Sequence, residues 1–204
     1  MKIIFGGAFN PIHNQHVSMI KHLLTLDGLD GVVVLPSANP PHKRCDTSFS
    51  QRVEMIELAL DGVDGIEICD LESKDDGKHY TCEVLPKLKK IYGNIAFVIG
   101  GDSLEDFATW KNPQEIIKMC RLYVFTRGQS KNFDKALKYW RSQGADITVC
   151  DYHPEDVSST LIRYNAILGE YDCLCPQVAD YIKRNKLYVK YSDIISSLKN
   201  NIPQ

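Results

Sequence analysis

The chain has 204 residues, 44% of them hydrophobic and 25% charged, with a formal net charge of −2. That length suits one globular domain or a domain with a small appendage, and the balanced charge gives no support to non-specific nucleic-acid binding, which wants a concentrated basic surface. No apolar run approaches the roughly 20 residues that span a bilayer, and the N-terminus enters a strand without a basic-then-apolar leader, so a cytoplasmic protein with no membrane partner is expected.

Lys2-Ile3-Ile4-Phe5 reads as a buried strand that stops at Gly6-Gly7, turns through Asn10-Pro11 and enters a helix with Val17, Ile20 and Leu24 at helical spacing. His13 and His16 are three apart, which puts both on one face of that helix's first turn. Unpaired backbone N–H groups and the positive end of the helix dipole gather at the same place, a combination suited to phosphate. Phosphoryl and nucleotidyl transfer also need donors fixed where charge spreads. A plain strand–turn–helix corner with two surface histidines is the alternative. A metal site is weaker, with no cysteine or carboxylate nearby.

Val32-Val33-Val34-Leu35 is a second strand, followed by a loop with three prolines in six residues, Pro36 to Pro41. The loop's tip carries His42, Lys43 and Arg44, which read either as a solvated basic loop or as a site for an anion. Ser48 and Gln51 have capping-box spacing ahead of a helix with Val53, Ile56 and Leu60 on its apolar face. Arg52 in the first turn opposes the helix dipole and hints at an anionic partner. Ile66 to Cys69 is a short strand, and Ser73 to Lys78 is a charged connection. Tyr80-Thr81 then opens a helix with Val84, Leu85 and Leu88 inward, although Pro86 leaves its start open.

Ile95 to Ile99 is apolar throughout and reads as a central strand. After Gly100-Gly101, Asp102 is placed to bind ribose hydroxyls, or Asp102 or Ser103 simply caps a helix. Trp110 is core or a ligand platform. Asn112-Pro113 starts a helix with Ile116, Ile117 and Met119, and Leu122 to Thr126 is the next strand, ended by Arg127-Gly128. Asn132 caps a helix with Ala136, Leu137 and Trp140 inward, closed by Gly144. Ile147 to Cys150 is the last strand. Ser158, Ser159 and Thr160 then stand at a helix start with Arg163 one turn on, hydroxyls and a guanidinium suited to a polyphosphate. Pro176 to Asn185 is a final helix.

Six strand–helix alternations without an internal repeat predict an α/β, Rossmann-like doubly wound parallel sheet of about six strands, helices on both faces, with ligands at the strand C-termini. The seven cysteines are scattered with no Cys-x-x-Cys pair, which fits reduced thiols.

Gly6-Gly7-Ala8-Phe9-Asn10-Pro11-Ile12-His13-Asn14-Gln15-His16 resembles the Gly-x-Phe-x-Pro-x-His-x-Gly-His signature of the nucleotidyltransferase superfamily. Gln15 stands in place of its glycine, and Asn10 in place of an aspartate common in one branch. Ser158-Ser159-Thr160-Leu161-Ile162-Arg163 resembles the second signature, Ser-Ser-Thr-x-Ile-Arg, without a mismatch. Pro40-Pro41-His42-Lys43, Tyr80-Thr81, Gly100-x-Asp102 and Thr109-Trp110 make the chain similar to the bacterial nicotinate-nucleotide adenylyltransferases over residues 1 to about 188.

The resemblance implies transfer of the adenylyl group of ATP to nicotinate mononucleotide, giving deamido-NAD and pyrophosphate, with Mg²⁺ carried by ATP and no metal held by the protein itself. It implies His16 and His13 as catalytic groups and Gly7, Phe9, Asp102, Ser158, Ser159, Thr160 and Arg163 as the ATP site. His42, Lys43, Tyr80, Thr81 and Trp110 would take the mononucleotide. Residues 1–190 would form the nucleotidyltransferase domain and 191–204 a tail, which reads more simply as a short frayed C-terminal helix with Ile194, Ile195 and Leu198 at helical spacing, and otherwise as similar to the start of a further domain found in some relatives. The amide nucleotide or another phosphorylated substrate stays open, as does a nucleotide sensor without turnover, which Gln15 and Asn10 motivate. The oligomeric state is not set by the sequence, and a homodimer is one option.

Overall fold

Residues 2–7 alternate between two apolar surroundings, with Ile3 and Phe5 packed in one and Ile4 in the other, all buried. A strand buried on both faces belongs inside a parallel sheet, and β1 (Lys2–Gly7) lies there. The computed structural model describes residues 1–39, 45, 47–74, 77, 79–126, 131–155 and 157–188. β2 (Val32–Pro36), β3 (Ile66–Ile68), β4 (Ile95–Gly100), β5 (Arg121–Phe125) and β6 (Ile147–Val149) complete a six-stranded parallel sheet in the order β3-β2-β1-β4-β5-β6.

The connecting helices are α1 (Asn14–Leu24), α2 (Phe49–Leu60), α3 (Thr81–Tyr92), α4 (Gly101–Glu105), α5 (Pro113–Met119), α6 (Lys131–Ser142), α7 (Ser159–Ile167) and α8 (Pro176–Arg184). α1, α2, α7 and α8 cover the face that carries Ile3, Phe5, Val32 and Val34. α3 to α6 cover the other, with Ile4, Val33 and Phe97. The expected doubly wound α/β sheet is therefore present. Winding reverses between β1 and β4, so their loops diverge and open a crevice at the strand C-termini. Both glycine pairs, Gly6-Gly7 and Gly100-Gly101, end strands at that point.

Several local expectations change. α3 runs from Thr81 straight through Pro86, which gives up only the bond it would have made one turn back. α4 is capped by Gly100, so Asp102 is its second residue and neither Asp102 nor Ser103 is the cap. Asn112 does stand before α5, but in the left-handed region (φ 49°) and without a side-chain capping bond; asparagine tolerates that conformation better than most residues. α6 already begins at Lys131, so Asn132 lies inside it. All seven cysteines are free thiols, and burial pushes the pKa of Cys150 up to about 11. His42, Lys43, Arg44, Arg127, Gly128, Asp156 and the tail at 191–204 lie outside the described residues.

Candidate active site

The first motif is held by its own phenylalanine. The Phe9 ring is 2% exposed and folds back under Gly7, where an added Cβ would stand 2.9 Å from the ring. Glycine is the residue that fits this approach, and Phe9 itself takes a positive φ of 45° to make it. Phe9 also meets the His16 ring edge-on at 5.2 Å, and Phe5 does so at 6.2 Å. The Phe9 side chain therefore supports His16 rather than facing a ligand.

His13 is the N-cap of α1, in extended backbone, one position before the turn that carries His16. The two rings stack, with centroids 3.6 Å apart. The structure brings the histidines together as expected, but by ring stacking rather than by two places on one helical turn. The His13 N–H donates to His16 Nδ1 at 3.3 Å. With Nδ1 accepting, the neutral His16 ring carries its proton on Nε2, the nitrogen suited to donating to a phosphate oxygen.

The second motif is sewn to the first. Ser158 caps α7, its hydroxyl accepting from the Leu161 N–H at 3.2 Å. Ser159 Oγ donates to the Pro11 carbonyl at 3.2 Å, and the Arg163 guanidinium donates to the Asn10 carbonyl at 2.8 Å and to Thr160 Oγ1 at 3.2 Å. Asn10, buried at 4% exposure, accepts on its side-chain oxygen from the hydroxyls of Thr47 (2.7 Å) and Tyr188 (2.9 Å). Asn10 thus joins the start of α2, α7 and the last described residue. A carboxamide oxygen accepts from these two hydroxyls as a carboxylate oxygen would.

Arg52 overturns its expectation. It is 1% exposed and donates to three backbone carbonyls: Ala8 at 2.6 Å, Ser37 at 2.7 Å and Ala38 at 3.3 Å. Its partners are the loops that leave β1 and β2, not an external anion. The guanidinium reaches past the helix end to acceptors that only the sheet brings near. From the other side Glu72, 5% exposed, accepts from Ser37 Oγ at 2.9 Å and the Ala38 N–H at 3.1 Å. An arginine and a carboxylate grip the same two residues, just ahead of the Pro-Pro-His-Lys loop. No motif marked either residue.

Burial raises the Glu72 pKa above the usual carboxylate range, against the weaker opposing pull of its hydrogen bonds. A carboxyl with a raised folded pKa holds its proton longer in the native protein than in the unfolded chain. Its contribution is therefore present at low pH and is lost as pH rises through the folded pKa. Glu72→Gln keeps an acceptor for Ser37 and Ala38 but cannot ionise. The stability of this variant relative to the parent should rise with pH when melting is followed from about pH 5 to pH 8; a gap moving the opposite way would refute the assignment.

A cleft of about 590 Å³ opens beside the motif, lined by Gly6, Gly7, Glu72, Tyr80, Thr81 and Trp110 among others. Thr81 is the first residue of α3, whose starting N–H groups lack helical partners. Trp110 is half-buried and rests its ring on Phe107 at 5.1 Å, which leaves it as one wall of the cleft. Lys111, not singled out in the sequence, lines the same cleft with its ammonium 4.4 Å from the Tyr80 ring centre, and pairs with Glu83 at 2.6 Å. Three of the residues expected to take the mononucleotide thus converge here, with Gly7 on the rim. The histidines and the α7 start are not among the residues that line this cleft. Asp102 is exposed at the start of α4 and does not line the cleft, although Ser103 does.

A cytidylyltransferase-like family model matches residues 4–165. A curated protein of Clostridium tetani, named probable nicotinate-nucleotide adenylyltransferase, is 36% identical over 202 residues, covering 92% of this chain and 98% of that one. One of Borreliella burgdorferi with the same name is 33% identical over 193 residues, covering 92% and 96%. Among solved structures, a Plasmodium falciparum nicotinic acid mononucleotide adenylyltransferase complexed with NaAD superposes with a TM-score of 0.78 at 21% identity, covering 92% of this chain and 96% of that one. At that identity the superposition speaks for the fold alone.

Proposed function

The chain belongs to the cytidylyltransferase-like family and, within it, to the nicotinate-nucleotide adenylyltransferases, and on that premise we propose how its residues carry the reaction. The reaction is adenylyl transfer from ATP to nicotinate mononucleotide, giving deamido-NAD and pyrophosphate in NAD biosynthesis. The mononucleotide phosphate oxygen bonds to the α-phosphorus of ATP as the bond to the pyrophosphate oxygen breaks. The attacking phosphate is already anionic, so neither a protein nucleophile nor a general base is required, and catalysis reduces to positioning and charge stabilisation.

One observation carries the assignment of roles: Ser159 and Arg163 bond directly to the Pro11 and Asn10 carbonyls, which sets the two helix starts side by side at the sheet's reversal, next to the Thr81–Trp110 cleft. His16 Nε2, with His13 stacked behind it, faces the charge that develops at the α-phosphate. The N–H groups at the start of α7, with Ser158, Ser159, Thr160 and Arg163, hold the β- and γ-phosphates. Asp102 takes a ribose hydroxyl. Mg²⁺ arrives with ATP as part of that substrate; among the described residues no group of three or more His, Cys, Asp or Glu side chains could hold a metal ion. The nicotinate ring stacks on Trp110, and its carboxylate meets the N–H groups at the start of α3, with His42 and Lys43 turned to the ribose phosphate. A cytoplasmic site of action accords with the reaction, and among the described residues no helix is long and apolar enough to cross a membrane.

The acid should be preferred over the amide. Donors that pair with a carboxylate are left facing an NH₂ group in the amide, and such mismatches in a polar pocket discriminate strongly. Pyrophosphate release should be measured with nicotinate mononucleotide, its amide and phosphopantetheine, in the parent and in Trp110→Ala. The variant should bind both pyridine nucleotides more weakly while its ATP affinity stays unchanged. Comparable catalytic efficiency on acid and amide would remove the nicotinate assignment, and turnover of phosphopantetheine alone would replace it.

A further inference from the structure

Residues 150–155, between β6 and α7, form neither helix nor strand, yet the second phosphate element hangs from them. The loop is pinned first at Tyr152, whose ring stacks on His22 at 5.3 Å and meets Phe125 edge-on at 6.1 Å. It is pinned again at Glu155 by the residue that departs from the first signature. Gln15 Nε2 donates to Glu155 Oε2 at 3.1 Å, and Gln15 Oε1 accepts from the Glu155 N–H at 3.1 Å and from the Tyr152 hydroxyl at 3.4 Å. A carboxamide that reads both the backbone and the side chain of one residue fixes that residue against sliding and against rotation. A glycine at this position has no atoms with which to do so.

We infer that Gln15 is a positioning residue, which sets the Ser158-Ser159-Thr160 element at a fixed distance from His16. Gln15 immediately precedes His16 in the first turn of α1, and Glu155 lies three residues before Ser158. α7 itself is held by Ser159 on Pro11 and Arg163 on Asn10. The loop that leads into it is held by Gln15. Reacting groups carried on two separate helices need this kind of registration, because small displacements of bound phosphates cost rate steeply. The side chain of Gln15 is thereby spent on the loop and leaves the glycine turn at residues 6–7 uncovered.

This inference rests on the adenylyltransferase reading above, and its test separates the two. Gln15→Glu sets two carboxylates face to face, while a glutamate in the first turn suits the α1 dipole, so the variant should fold. Its KM for ATP should rise about tenfold, the scale of a lost and repelled polar contact, with the KM for nicotinate mononucleotide changed less than about twofold. Glu155→Gln keeps an acceptor for Gln15 Nε2 but loses the charge that strengthens the bond, and should fall in between. The reciprocal double variant, Gln15→Glu with Glu155→Gln, restores the side-chain bond with donor and acceptor exchanged and keeps the two bonds that position 15 accepts, so it should return the KM for ATP to within about threefold of the parent. An unchanged KM for ATP in Gln15→Glu overturns the inference. Failure of the double variant to recover also overturns it, since the charge at position 15 would then be acting on the phosphates directly. Absence of pyrophosphate release by the parent would fault the reaction instead, and the same four proteins would then be ranked by calorimetric ATP binding, with the same order expected.

Discussion

Replacing His16 by alanine is expected to cut turnover by ~10²–10³, the scale measured when one preorganised donor to a developing charge is removed. The substitution also deletes the acceptor for the His13 N–H at the start of α1. That capping loss costs about 1 kcal/mol, which lowers the melting temperature of a chain this size by only ~2–4 °C. The two effects are therefore separable, because so small a loss of stability leaves the protein folded at assay temperature. A variant that melts a few degrees lower yet turns over normally would show that His16 only caps the helix. The rings around it sharpen the expectation: Phe5, Phe9 and His13 fix the imidazole from three sides, so its orientation is set before the substrate arrives.

The second large effect falls on a residue that touches no substrate. Arg52→Met should destabilise the protein by about 3–5 kcal/mol, since three part-buried carbonyls lose a charged donor at the low end of about 1–3 kcal/mol each. The Ala8, Ser37 and Ala38 carbonyls lose their donor. The melting temperature should fall on the order of 10 °C. Arg52→Lys retains the charge but not the planar fork, so it should recover only part of the loss. Because Arg52 joins the loops leaving β1 and β2, activity in the surviving folded fraction should also decline. A methionine variant that melts with the parent would show that the carbonyls find other donors and that the arginine is dispensable.

The two signatures and the alternation of apolar runs were legible because each is a local property. The strand β4 announces itself by uninterrupted apolar residues, and the Ser48–Gln51 capping box forms as its spacing indicates. Ser158 caps α7 for the same reason: a hydroxyl three residues ahead of a free N–H needs no help from the rest of the chain. Likewise the placing of Tyr80 and Thr81 at the start of α3, and of Trp110 beyond β4, followed from where strands end. Their convergence on one cleft then follows from the parallel sheet, which brings every strand C-terminus to the same edge.

What the chain order could not convey was which partner a long polar side chain chooses. Arg52 opposes its own helix dipole, but its three acceptors lie 14 to 44 residues away in sequence and meet only because β1 and β2 are neighbours. Gln15 and Asn10 read as departures from a signature. In the fold their partners are Glu155, 140 residues on, and Tyr188, 178 residues on. Hydrophobic periodicity repeats along the chain and so can be seen in it, whereas a hydrogen bond across the sheet leaves no periodic trace. The sequence by itself therefore determined the sheet, the order of its elements along the chain and the place of two helix starts. The tertiary structure alone decided how those starts are held together: by an arginine on three carbonyls, an asparagine between two hydroxyls and a glutamine on a loop.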